Sequence, residues 1–361
     1  MKEENGKAEG VLVVQSDGTG ILRDIEYPLR PGETDVAVPV QFIQEYELPD
    51  GVLLSGTVDN NVVVSIESVA GGPPEAFMKR INYKRLTPLQ PETRFELGKT
   101  KVKEMRVLDL VLPLGMGTRA LIVSPPKAGK TVLLEQLGRS IHEVRPDVEI
   151  IYLLIDERPE EVTHFRRSVP GVVWASSSDQ SVEKHIKLVT FAASYLQTAL
   201  ETGRDVVVLI DSITRMGRAF NRGEESNGRV LSGGVSEKAL QIPRQFFGTA
   251  RNVENGGSVT MLATVLIDTG SRMDKYIFEE FKGTGNCEIV LNRRLAEERL
   301  YPAIEVQSSG TRREDLLLKD DLAGYSGLRK KVSGLDPKGA LREMISLVES
   351  YPDNKKIFNK Y

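Results

Sequence analysis

The residues best able to do chemistry lie in one stretch, LIVSPPKAGKTVLL, at positions 121–134. An apolar run ends in a Pro-Pro/Gly turn, and Lys130 and Thr131 then open a segment that can continue as helix. Strand, tight turn and helix in that order make a phosphate-binding loop. Backbone N–H groups of Pro126-Lys127-Ala128-Gly129-Lys130-Thr131-Val132 (Pro126 lacks one) would face an anion at a helix N-terminus. Gly129 lets the backbone approach a phosphate with no Cβ in the way. Lys130 offers a point charge to the β- and γ-phosphates, and the Thr131 hydroxyl can ligate Mg²⁺. The strict motif has glycine where this chain has Ser124.

Three further signals fit phosphoryl chemistry. DVVVLIDSITR, residues 205–215, brings Asp211 to the end of an apolar strand, where a carboxylate can hold Mg²⁺. IYLLIDERPEEV places Asp156 and Glu157 at another strand end. Ligands of parallel sheets bind outside that end, and Glu157 there can polarise an attacking water. Glu160 and Glu161 fit the acids that a helix N-terminus favours. SSGTRREDLL, residues 308–317, follows a glycine turn with Arg312 and Arg313, either a solvated pair or a finger offered to a neighbouring subunit.

These residues need a scaffold. From residue 119 apolar strand-like runs alternate with helical ones, which predicts a mostly parallel sheet with crossover helices. The strands are expected in ALIVS, EIIYLLID, GVVWASS, DVVVLIDS, GSVTMLATVLID and CEIVLN. EKALQIPRQFFGTARNVEN is expected as helix, and residues 338–350 as a short amphipathic one. Residues 9–69 read instead as about five short strands with a hairpin at Asp17-Gly18, a small barrel of the oligonucleotide-binding, cold-shock-like type. The expected division is barrel 1–72, linker 73–118 and nucleotide-binding unit 119–361.

Composition narrows the classes. The chain has 361 residues, 40% hydrophobic and 27% charged, a globular mix. No apolar run is long enough for a membrane span, and the polar start MKEENGKAEG lacks a signal-peptide core. A single cysteine, Cys287, excludes an internal disulfide and fits a reducing, cytoplasmic setting. The scattered histidines 142, 164 and 185 argue against a histidine metal site, with His142 and His185 expected on the surface. Residues 1–90 hold 8 basic and 14 acidic residues, a net charge of −6 that suits nucleic acid poorly.

PPKAGKT, LIDERPEEV, LIDSITR, LSGGV, FFGTARNVENGGS, IDTGSRMD, EEFKGTGN and SGTRRE, in that order, resemble the bacterial transcription termination factor Rho family. The resemblance covers about residues 10–350 and is densest over 119–318. It implies an α/β, RecA-like P-loop ATPase and helicase, a hexameric ring, closed or open, that uses ATP and Mg²⁺ on single-stranded RNA. That family also lacks glycine at the position of Ser124. By resemblance, Lys130 and Thr131 serve phosphate and metal, and Glu157 activates water. Arg158 senses the γ-phosphate, Asp211 serves the metal and Arg215 helps close the interface. Arg312 is the finger inserted in trans, and Tyr301 stacks on adenine. Two loops line the central channel, one with Arg229, Val230 and Ser232, the other with Gly270 and Arg272. The family often has lysine at 229 and 272; arginine keeps the charge but presents a fork.

The barrel departs from the family. Thr19, Ile21 and Ala37 stand where the family carries aromatic platforms for bases, and Gln44 and Glu45 replace an arginine pair. Each stacked base is worth roughly 1–3 kcal/mol, so the expected primary RNA site is erased. Two readings stay open: an RNA translocase with altered loading, or an ATP-binding assembly or regulatory protein that has lost RNA work. RNA polymerase or another protein is a candidate partner for the barrel.

Overall fold

The computed structural model describes residues 2–4, 6–32, 35–224 and 238–361. The N-terminal strands are β1 (Lys2–Glu4), β2 (Lys7–Val14), β3 (Gly20–Arg23), β4 (Val36–Val38), β5 (Leu53–Asp59) and β6 (Val62–Val69), with helix α1 (Val40–Glu45) after β4. The order β2-β3-β4-β6-β5 closes on itself through a β2–β5 pairing, while β1 only flanks β2. Closure removes the open edges that a five-stranded sheet would expose. The expected hairpin is present: Gly18 sits at φ +85° and its N–H bonds the Gln15 carbonyl. Leu12, Leu22, Val36, Val38, Val52, Leu54 and Val63 fill the barrel.

Residues 73–118 carry α2 (Pro74–Met78), β7 (Pro88–Leu89) and α3 (Lys103–Val111). Every residue of α3 from Met105 to Val111 is buried, and the helix joins the main core of the nucleotide-binding unit. Buried Arg106 donates to the carbonyls of Val348 and Tyr351, which ties α3 to the C-terminal helices.

The second unit contains β8 (Arg119–Ser124), α4 (Lys130–Val144), β9 (Glu149–Glu157), α5 (Pro159–Ser168), β10 (Val172–Ser177), α6 (Val182–Glu201), β11 (Asp205–Asp211), α7 (Ile213–Glu224), α8 (Gln241–Gly248), β12 (Arg251–Val253), β13 (Ser258–Leu266), α9 (Arg272–Lys282), β14 (Cys287–Val290), α10 (Arg293–Glu297) and β15 (Gly310–Thr311). Four helices follow: α11 (Glu314–Leu318), α12 (Leu322–Val332), α13 (Pro337–Ser350) and α14 (Asn354–Phe358). The sheet order is β10-β9-β11-β13-β8-β14-β15, parallel from β10 to β14. All six expected strands form. The expected helix over 237–255 ends sooner, because Arg251–Val253 pairs antiparallel with β13 and with β7. Apolar side chains on both faces of β8, β9, β11 and β13 divide between two buried clusters, as a sheet covered by helices on both sides requires.

The barrel is docked on this unit. Val11 and Val13 of β2 belong to the second cluster, beside Trp174, Phe191 and Tyr195. The Trp174 indole, edge-on to both rings, donates to the Ile25 carbonyl at 2.7 Å.

Candidate active site

The site forms at the C-terminal ends of β8, β9 and β11, because a parallel sheet aims those ends the same way. After β8 the chain turns through Pro125–Gly129. Lys127 lies at φ +65° and Gly129 at φ +90°, where a side chain would be strained. Helix α4 then starts at Lys130, so its unpaired N–H groups face the turn. Pro126, Lys127 and Val132 are exposed, Ala128 is buried, and Gly129, Lys130 and Thr131 lie between.

Lys130 crosses to the two carboxylates. Its Nζ is 2.5 Å from Asp211 Oδ2 and 3.6 Å from Glu157 Oε1. Both carboxylates are buried, at 0% and 1% exposure. Asp211 Oδ1 accepts from the Thr264 hydroxyl at 2.8 Å, so β13, the strand between β11 and β8, orients this group. On α7, Arg215 reaches back to Glu157 Oε2 at 3.0 Å. Burial pushes the Glu157 carboxyl above its usual value and the charge of Asp211 adds to the push, while Lys130 and Arg215 hold it back. A carboxylate raised in this way has the basicity a water-activating base needs.

The remaining sequence-derived positions divide. Tyr301 lies beside the turn, its ring 3.5 Å from where a Cβ on Gly129 would sit, and it is 43% exposed. With Ala128, Val132, Leu133 and Leu291 it lines a cleft of about 260 Å³, an apolar slot open on one side. Arg158 meets the carboxylates only through its backbone N–H, 3.4 Å from Glu157 Oε2; its side chain is 67% exposed and lies 3.8 Å from Glu161. Gly270 at φ +77° and exposed Arg272 form a separate loop at the start of α9. Asp274 anchors that loop, accepting from Thr269 and from both forks of Arg218 on α7. Arg229, Val230 and Ser232 lie outside the described residues.

Arg312 is exposed and far from its own Lys130. Its N–H bonds the Asn286 carbonyl, and the Asn286 N–H bonds the Arg119 carbonyl at the start of β8. The phosphate loop leaves the other end of that six-residue strand, about 17 Å away at the usual rise.

Two features escaped the sequence. His185, expected on the surface of its helix, is 2% exposed and pairs through Nδ1 with Ser176 Oγ at 2.7 Å. Its apolar neighbours on α6 gave a helical period whose buried side only the docked sheet defines. Thr264 lies in a largely apolar strand with no local signal of its contact with Asp211.

Residues 104–311 match the nucleotide-binding domain of the ATP synthase alpha/beta family. The fold is similar to an ATPase from the type III secretion system of pathogenic bacteria, with TM-score 0.62 and 23% identity over 76% of this chain and 86% of that one. Transcription termination factor Rho of Cereibacter sphaeroides is 43% identical over 97% of this chain and 86% of its own length. The Haemophilus influenzae factor is 42% identical over 97% and 86%, and that of Bacillus subtilis 45% identical over 90% and 78%. The chain therefore belongs to the Rho family of transcription termination factors.

Proposed function

We propose that the chain is an ATP-driven translocase that hydrolyses ATP at the subunit interfaces of a homo-oligomeric ring and moves on single-stranded RNA, acting in transcription termination or its regulation. Its family makes it an ATP hydrolase. The observation that carries the reading is the convergence of Lys130, Asp211, Glu157 and Arg215 on one buried cluster at the mouth of the phosphate loop. Lys130 would exchange its carboxylates for the nucleotide's phosphates, and Glu157 would take the proton of the attacking water. Tyr301 would cover the base, and Arg158 would sense the γ-phosphate.

The residues fit Mg²⁺. The hydroxyl of Thr131 and the carboxylate of Asp211 are oxygen donors, the class this ion takes, and Mg²⁺ commonly uses only one or two protein groups beside water and phosphate. When bound it would neutralise charge on the phosphates. Because β8 separates Arg312 from Lys130, Arg312 would serve a neighbour's nucleotide, which makes the ring, hexameric by family, a condition of activity. The loop with Gly270 and Arg272, together with Arg229, Val230 and Ser232, would grip RNA.

We divide the labour among the barrel 1–72, the stretch 73–118, whose helix α3 joins the ATPase core, and the ATPase unit 119–361. In the barrel, Ile21 lies directly opposite Ala37, and Ala37 opposite Val62, a row without an aromatic ring. That row favours a second reading, an ATP-binding assembly or regulatory protein without RNA loading, whose barrel meets RNA polymerase or another protein. Hydrolysis rates with and without RNA and DNA homopolymers separate the two. Stimulation by single-stranded RNA is expected, and a rate indifferent to every polymer would leave only the second reading.

A further inference from the structure

Asp156 stands immediately before Glu157 and has no part in the scheme above. Its backbone lies at φ +56°, where few residues other than glycine settle. The pairing of β10 with β9 skips it: Ser176 is opposite Ile155, and Ser177 is opposite Glu157. Asp156 is thus the extra residue of a β-bulge, a device that re-aims the side chain next to it.

Three groups hold the bulge. The Asp156 carbonyl accepts from Arg215 at 2.5 Å, and another nitrogen of that guanidinium contacts Glu157 Oε2 at 3.0 Å. Asp156 Oδ2 accepts from Arg222 at 3.2 Å. Asp156 Oδ1 faces His185 Nε2 at 3.9 Å, and His185 is fixed by Ser176 on the neighbouring strand. Arg215 and Arg222 are seven residues apart on α7 and so share a face. One helix therefore grips the bulge at its carbonyl and at its carboxylate.

We propose that Asp156 is a positioning residue: its carboxylate, tied to Arg222, fixes the bulge whose carbonyl orients Arg215, and Arg215 in turn orients Glu157. An ion pair as exposed as this one adds little stability; its effect is geometric. A left-handed backbone at a non-glycine residue is strained and persists only where its surroundings hold it. Release of the carboxylate lets the bulge relax and moves Arg215 off Glu157. This rests on the reading of Glu157 as the base.

The test uses the full-length protein with ATP and single-stranded RNA. Asp156→Asn keeps a residue type that tolerates the backbone, Asp156→Gly removes the side chain but keeps the conformation accessible, and Arg222→Gln cuts the tie from its half-exposed end. A misplaced group of this kind costs between about 10- and 100-fold in rate. Each variant is expected to lose kcat in that range while the KM for ATP stays within about twofold, as for an interaction made in the transition state. The double variant Asp156→Asn/Arg222→Gln should lose no more than Asp156→Asn alone, because the two act as one unit. Thermal midpoints, read from the fluorescence of Trp174, should match the parent for Arg222→Gln. An unchanged kcat in Arg222→Gln, multiplying losses in the double variant, or a raised KM at constant kcat would each overturn the proposal. Glu157→Gln, measured alongside, keeps the two readings apart. An active Glu157→Gln removes the base assignment, whereas an inactive one beside fully active Asp156 and Arg222 variants removes only the positioning role.

Discussion

Replacement of Lys130 by methionine should destabilise the nucleotide-free protein, and the deficit should depend on pH. Lys130 is the cation that touches both buried carboxylates, at 2.5 Å from Asp211 and 3.6 Å from Glu157. Methionine keeps most of the stem and deletes the charge. Asp211 is then left with the hydroxyl of Thr264, and Glu157 with Arg215 and the Arg158 backbone N–H. Loss of one partner from a buried charge pair costs about 3–5 kcal/mol. The Lys130 side chain is 22% exposed, so water can partly replace it and the lower end, about 3 kcal/mol, is expected. The sign with pH follows from Glu157. Its carboxyl is already pushed above the ordinary value of 4.5, and loss of Lys130 pushes it further. A raised carboxyl destabilises the fold fully above its folded pKa, progressively less as pH falls, and not at all below the unfolded value. Urea denaturation followed by Trp174 fluorescence, at one protein concentration and at pH 7 and pH 5, measures both. The deficit should be larger at pH 7 and should shrink on adding Glu157→Gln, which removes the like charge. Equal deficits at the two pH values, or none at pH 7, would refute the picture of a buried cluster held by Lys130.

Other outcomes follow from the same geometry. Tyr301→Ala should raise the KM for ATP about tenfold while kcat changes little, since uniform binding is lost; steady-state kinetics decide it. Thr264→Val should cost about 1–3 kcal/mol in a urea titration, because an oxygen of fully buried Asp211 loses its donor. Burial pushes the His185 imidazole below its ordinary value of 6.5, so it costs the fold nothing above that value and progressively more as pH falls toward the folded pKa. His185→Gln should therefore flatten the loss of stability between pH 6.5 and 5. Ile21→Phe with Ala37→Tyr should restore base platforms to the barrel and tighten RNA by roughly 5- to 150-fold per ring, at about 1–3 kcal/mol each; filter binding at fixed salt measures it.

The parts legible in the sequence are those whose signals are local. The parallel strands announce themselves as apolar runs, and Lys130, Glu157 and Asp211 stand at or just beyond their ends, so their meeting follows from the sheet alone. Tyr301 was legible only through the family, and the arginine pair at 312 and 313 left two readings open that the family decided, because their relation to the phosphate loop passes through β8 and β14. What stayed hidden depends on distant packing. His185 is buried by a strand that precedes it, and Arg251–Val253 becomes a strand only because β7 and β13 offer edges. Helix α3 looked like linker, since much of its burial comes from α13 and α14 more than 200 residues later. The bulge at Asp156 leaves no mark in IYLLIDERPEEV at all.

The central claim is that a complete catalytic centre takes Lys130, Asp211 and Glu157 from one subunit and Arg312 from the next. Mixing Glu157→Gln subunits with Arg312→Ala subunits tests it most directly, with single-turnover ATP hydrolysis on RNA as the readout so that a stalled neighbour does not mask an active interface. Each variant alone should be inactive, and in an equal mixture about a quarter of the head-to-tail interfaces should regain both groups and hydrolyse ATP. A mixture no more active than its parts, or an Arg312→Ala protein that turns over ATP normally by itself, would contradict the account.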